Sequence, residues 1–123
     1  MILADTSVWV DHLRRRNPQM ARHLRNGQVV THPFIVAEIA LGSLHNRRTI
    51  LDGLDSLLTV NVAQIGEVRR MIEAHSLYSK GIGLTDAHLI ASCLITQGTY
   101  LWTLDRKLDA VAKQLGIRSA PPR

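Results

Sequence analysis

The chain has one cysteine, Cys93, in 123 residues. A single thiol excludes an intramolecular disulfide framework, and its place in an apolar, helix-like run marks it as a core residue. Zinc chemistry is equally short of ligands. The six histidines (His12, His23, His32, His45, His75 and His88) lie nine or more residues apart, with no HxxxH spacing. The longest apolar stretches, such as residues 34–41, are short and carry a charge, which excludes a bilayer span. The N-terminus has neither the basic head nor the long apolar core of a signal peptide, so the chain reads as cytoplasmic with no membrane partner. No GxGxxG follows the first apolar run, and neither a GxxxxGKS/T loop nor a GxSxG turn occurs, so dinucleotide, P-loop and serine-hydrolase chemistry are unsupported.

Acids are also in deficit: ten Asp and Glu stand against fifteen Lys and Arg, a net charge of +5. In so small a domain this balance points to an anionic partner, nucleic acid or an acidic protein segment. Otherwise, 46% hydrophobic and 20% charged residues match a soluble globular chain, with no linker, repeat or low-complexity tract. One domain over residues 1–123 is expected, burying roughly two-thirds of the surface its unfolded form would expose.

Along the chain, residues 1–4 read as a buried strand and 7–16 as a helix whose arginines crowd its negative end. Asn17-Pro18 breaks it, a second basic helical stretch runs to about Asn26, and residues 27–31 form a strand after a glycine stop. Pro33 fits the first position of a helix over "PFIVAEIALGSLH", and another helix covers about 47–58. "LTVN" reads as a third strand and 64–78 as a long amphipathic helix. Thr85 is placed to cap the helix over "DAHLIASCLITQ", "TYLWT" is a fourth strand, 106–115 a helix, and "GIRSA" a fifth short strand or tail. The fold class is therefore α/β, a three-layer sandwich with a mainly parallel five-stranded sheet covered by helices, and ligands gather at the carboxyl ends of such strands.

The few carboxylates can be sorted by their helical neighbours, because a surface acid usually has a base three or four residues away. Asp11, Asp52, Glu67, Glu73 and Asp109 each have one. Asp5, Glu38, Asp55, Asp86 and Asp105 do not. Asp55 sits beside Asp52 at the edge of an apolar stripe and reads as solvated. Glu38 has Phe34, Ile35, Leu41 and Gly42 at those offsets, an apolar face expected to point inward, where an unpaired charge costs several kcal/mol or takes up a proton. Asp5 and Asp105 repeat one pattern in "MILADTS" and "YLWTLDRKL": apolar strand, carboxylate, helix. Either is a helix-cap candidate, although Thr6 and Ser7 are available to cap the first helix themselves. Asp86, in the first turn of its helix, also suits the positive end of the dipole. Gathered at one sheet edge, four such acids repel one another, roughly 4 kcal/mol for a pair about 4 Å apart at an effective dielectric near 20. Convergence therefore calls for a divalent ion, and an all-oxygen donor set suits Mg²⁺ or Mn²⁺ and metal-assisted phosphodiester hydrolysis.

With these four acids in order, the chain resembles a PIN-domain ribonuclease, specifically the VapC-type toxins of bacterial toxin–antitoxin pairs. "MILADTSVWVDHL" is similar to the family's opening strand, "PFIVAEIALGSL" to its glutamate helix, "LTDAHLIA" to its third acidic motif and "LWTLDRKLD" to its last. The resemblance implies that Asp5, Glu38, Asp86 and Asp105 are catalytic and bind Mg²⁺ (or Mn²⁺), with Thr6 and Thr103 orienting the carboxylates. It further implies an RNA substrate, a homodimer and a cognate VapB-like antitoxin. Arg47, Arg48 and Lys80 flank the acidic motifs in sequence and are candidates to hold RNA phosphates. Trp9 and Trp102 read as core, and Asp109 as a surface ion pair. The alternative function is a non-catalytic RNA- or protein-binding module of the same fold.

Overall fold

A computed structural model describes residues 1–119; the last four residues of the expected domain, Ala120 among them, lie outside the described residues. Three short parallel strands form the sheet: β1 (Ile2–Ala4), β2 (Val29–Val30) and β3 (Tyr100–Trp102), in the order β2-β1-β3. Their registers set Leu3 beside Val30 and Leu101, and Ala4 beside Trp102. Seven α-helices complete the described chain: α1 (Thr6–Arg15), α2 (Pro18–Arg25), α3 (Pro33–Ala40), α4 (Arg47–Asp55), α5 (Ile65–Ala74), α6 (Leu84–Ile95) and α7 (Arg106–Gln114).

The sheet is narrower than the five strands expected. The two missing strands are present as single parallel bridges, Thr31 with Thr59 beyond β2 and Leu101 with Arg118 beyond β3. Each bridge has its two hydrogen bonds: the Thr31 N–H donates to Leu58 O and the Val60 N–H to Thr31 O, while the Leu101 N–H donates to Ile117 O and the Ser119 N–H to Leu101 O. Among the described residues pairing stops after one residue in each, so "LTVN" and residues 116–119 lie where outer strands would, without the length to be strands; the last residue of "GIRSA" lies outside the described residues.

The order 59-β2-β1-β3-118 also decides the layers. From β1 the chain steps outward twice, through α1–α2 to β2 and through α3–α4 to Thr59. It then crosses back through α5–α6 to β3 and outward through α7 to Arg118. Right-handed crossovers taken in opposite directions put the two groups of helices on opposite faces. The packing agrees, with α1 against α2 and α3, α5 against α6, and both α6 and α7 against β3. Between the layers lies a core that includes Leu3, Met20, Ile35, Ile90, Leu101 and Leu108, all fully buried. Trp9 and Trp102 belong to it at 5% and 9% exposure, which places both as packing residues. Cys93 is buried there too, and burial pushes its thiol up to about 12, so it stays protonated and inert.

Candidate functional site

Because Ala4 and Trp102 are register partners in parallel strands, the residues that follow them leave the sheet at the same edge. There the Asp5 N–H donates to Trp102 O at 3.0 Å. Asp5 then turns into α1 as its N-cap: Oδ1 accepts the Val8 N–H at 3.2 Å. Of the candidates the sequence offers, Asp5 rather than Thr6 or Ser7 does the capping. Asp105 caps α7 in the same way, accepting the Leu108 N–H at 2.9 Å. Asp86 reaches back from the first turn of α6 to the Gly83 N–H at 3.2 Å. Gly83, not Thr85, is the residue that precedes that helix.

Hydroxyls hold the carboxylates in place. Thr6 donates to Glu38 Oε1 at 2.7 Å, joining α1 to α3. Thr103 donates to Asp5 Oδ2 at 2.5 Å and accepts the Asp105 N–H at 3.0 Å. Ser7, not singled out beyond capping, donates to Asp5 Oδ1 at 2.5 Å and accepts the Leu104 N–H at 3.0 Å. The signal for Ser7 was its place two residues after a strand-end acid, but its partner Leu104 is 97 residues away.

Glu38 differs from the sequence reading in one respect: it is exposed rather than turned inward. α3 ends at Ala40, so Leu41 and Gly42 lie past the last helical residue, and Leu41 is 88% exposed. Of the apolar offsets that made Glu38 look buried, Phe34 and Ile35 lie within the helix, but Leu41 and Gly42 do not extend their face.

Electrostatically the four acids form one group. Burial raises the Asp86 carboxyl above its ordinary value; the Gly83 N–H opposes this, and repulsion from Asp5, Asp105 and Glu38 adds to the rise. Burial likewise raises Asp5, against the hydrogen bonds from Ser7, Thr103 and Val8 that favour its charge. Among the described residues the ion pairs are Asp11–Arg15 at 2.6 Å, Asp52–Arg48 at 3.9 Å and Asp109–Arg118 at 2.9 Å. None touches the four. The Asp109 pair was expected from Arg106 or Lys113, but its partner comes from the end of the chain. Glu67 serves instead as a cap, accepting the Gln64 N–H at the start of α5.

The donor set suits a hydrated hard cation rather than a dry cage. Among the described residues no group of three His, Cys, Asp or Glu side chains forms a ready-made ion cage. Yet Glu38 Oε2, Asp86 Oδ1 and Asp105 Oδ2 have no hydrogen-bond partner among the described residues. Mg²⁺ keeps several waters and binds through one or two carboxylates, so unpaired carboxylate oxygens fit it without a complete protein cage.

The basic candidates differ in freedom. Arg47 donates to Ala40 O at 2.7 Å and so closes the end of the Glu38 helix. Arg48 faces Asp52 across 3.9 Å with its side chain 95% exposed. Lys80 is exposed in the loop before α6, and Lys107, absent from the sequence reading, lies over Gly81 in that same loop. Its signal was only adjacency to Asp105 in a basic "DRK".

The PIN domain family matches residues 2–114. The chain belongs to this family. Among individual proteins it is similar to Ribonuclease VapC32 from two strains of Mycobacterium tuberculosis, in each case 37% identical over 120 residues that span 98% of this chain and 97% of the relative.

Proposed function

We propose that the protein is a metal-dependent endoribonuclease that hydrolyses RNA phosphodiester bonds and acts as the toxin of a toxin–antitoxin pair. The observation that carries the reading is one shared corner: the Thr103 hydroxyl joins Asp5 to the start of the Asp105 helix, Asp5, Glu38 and Asp105 all raise the Asp86 carboxyl, and among the described residues no lysine or arginine is ion-paired to any of the four. That cluster lies in a chain of net charge +5 whose near-full-length relatives are named as ribonucleases. Asp5, Glu38, Asp86 and Asp105 would hold Mg²⁺ or Mn²⁺, which when bound activates water and stabilises charge on the attacking and leaving oxygens.

The chain's own residues supply orientation. Thr103 and Ser7 fix both oxygens of Asp5, and Thr6 fixes one oxygen of Glu38. Arg48, Lys80 and the N–H groups of Arg47 not spent on Ala40 would hold phosphates on either side of the acids. A VapB-like antitoxin and a second copy of the chain are the protein partners this reading implies, and the cytoplasm its compartment. Among the described residues no helix is long and apolar enough to cross a membrane.

The test is cleavage of RNA by the purified protein with and without Mg²⁺ or Mn²⁺. Wild type should cut only with metal, and Asp5→Asn or Asp86→Asn should lose both cutting and growth inhibition while remaining folded. Full activity in both variants would overturn the site; RNA binding without cutting at any ion concentration would favour the non-catalytic module.

A further inference from the structure

Beside the acids, a groove of about 540 Å³ runs between α1 and the turn that joins α3 to α4. Its volume falls in the ~300–1,000 Å³ range of pockets that hold small ligands. Leu44 and Ile50 give it an apolar wall, Arg14, His45 and Asn46 line it, and Glu38 belongs to its lining as well as to the acid cluster. The groove is therefore continuous with the candidate active site.

Two of its residues have side-chain polar groups without partners among the described residues. Arg14 is exposed and makes no ion pair or hydrogen bond among the described residues, whereas its neighbour Arg15 is paired to Asp11. Asn46 occupies the position before α4, where asparagine normally caps the helix through its side chain. Here it has φ 53° and ψ 46° and makes no side-chain cap. Its amide keeps both a donor and an acceptor for something outside the chain.

We infer that this groove is a nucleotide subsite, in which Arg14 holds a phosphate next to the scissile bond and the Asn46 amide reads the edge of the adjoining base against the Leu44–Ile50 wall. The inference rests on the proposed RNA-cleaving activity and adds to it the residue that sets sequence preference. Charge favours RNA as the occupant, because Arg14 is unpaired among the described residues and the only acid lining the groove is the one shared with the active site. A side-chain amide matches a donor–acceptor base edge, and a good two-bond contact discriminates between bases by about ten- to a hundredfold.

Asn46→Gly is a clean probe, because glycine adopts the left-handed backbone freely and only the amide is lost. In a cleavage assay on short single-stranded RNAs randomised around the cut site, this variant should flatten wild-type preference at one flanking position by about tenfold or more. Arg14→Gln should raise KM about tenfold, a loss carried by KM rather than kcat, and lower the slope of log KM against log salt by about 1. The Asp86→Asn chain should crosslink to photoreactive RNA within residues 43–46. Wild-type preference in Asn46→Gly together with wild-type KM in Arg14→Gln would overturn the subsite. So would crosslinks confined elsewhere, or occupation of the groove by a partner protein's helix that leaves RNA binding unchanged. Binding of RNA that depends on Arg14 and Asn46 in a chain that never cuts would sustain the subsite and sink only the nuclease reading.

Discussion

The Thr103 hydroxyl donates to Asp5 at 2.5 Å and accepts the Asp105 N–H at 3.0 Å, so one oxygen ties together the ends of two parallel strands, each of which leads into a carboxylate. Asp5 is 5% exposed and has both oxygens engaged, one by Thr103 and the other by Ser7 and Val8. Removing the hydroxyl leaves a buried carboxylate oxygen and a backbone N–H without partners, at about 1–3 kcal/mol. Thr103→Val, close to isosteric, should lose stability on that scale in chemical denaturation and lose most RNA cleavage. Thr103→Ser, which restores the hydroxyl, should recover both. Equal behaviour of the two variants would show that the hydroxyl orients nothing.

Asp86 gives a prediction of opposite sign. Its carboxyl is raised by burial and by its three acidic neighbours, so the folded state holds this proton more tightly than the unfolded state does. A group of this kind stabilises the fold below its unfolded value of 3.8, and that contribution is lost as pH rises through the folded value. At neutral pH without metal the charge is therefore a cost. Asp86→Asn should raise the thermal midpoint of the protein in chelator, while Mg²⁺ should raise the midpoint of wild type markedly more than that of the variant. A variant less stable than wild type in chelator would mean that repulsion does not govern this corner.

Much of this site was visible in sequence because it depends on local punctuation. Asp5 and Asp105 each follow an apolar strand, Pro33 opens the Glu38 helix, and Asp86 sits in a first turn; all four positions hold in the fold. What could not be read depends on contacts far apart in the chain. Ser7 meets Leu104, and Asp109 meets Arg118 rather than a base one helical turn away. The two outer strands were read from "LTVN" and from "GIRSA", the latter as a strand or tail, and among the described residues each pairs through a single bridge. Glu38 was misplaced because helical offsets were carried past Ala40, where the helix has already ended.

His32 should make stability depend on pH in the other direction. The ring is fully buried, its Nδ1 accepts the Phe34 N–H at 3.0 Å, and its Nε2 lies 3.2 Å from Ser92 Oγ, which also accepts the Ala63 N–H. It thus joins the start of the Glu38 helix to the Asp86 helix while uncharged. Burial first, and the nearby His88 second, lower it from 6.5 to about 4. Between those values the unfolded chain binds the proton and the folded chain does not, so stability is present above pH 6.5 and is lost progressively toward pH 4. The loss is on the order of 2–3 kcal/mol. Urea denaturation from pH 7 to pH 4 should show it, and His32→Asn, which cannot titrate, should be less stable at pH 7 but lack that slope. An unchanged slope in the variant would assign the acid sensitivity elsewhere.

Gly81 separates backbone strain from the position of Lys107. It has φ +78°, a region that costs any L residue, and a Cβ built there would lie 2.8 Å from Lys107 Cδ. The clash is with a flexible side chain, which can swing away, so nearly all of the stability lost in Gly81→Ala should come from the backbone, about 1 kcal/mol or somewhat more. Lys107→Ala should therefore restore almost none of it, and the double variant should be additive within about 0.5 kcal/mol. RNA affinity should behave differently. In the native fold the lysine is laid across the loop that carries Lys80 and leads to Asp86, and the new methyl group displaces it. Gly81→Ala should then weaken RNA binding in wild type and have much less effect once Lys107 is alanine. Additive stability with non-additive binding would identify Lys107 as a phosphate contact held in place by a glycine. Additivity in both would make the glycine a matter of turn geometry alone.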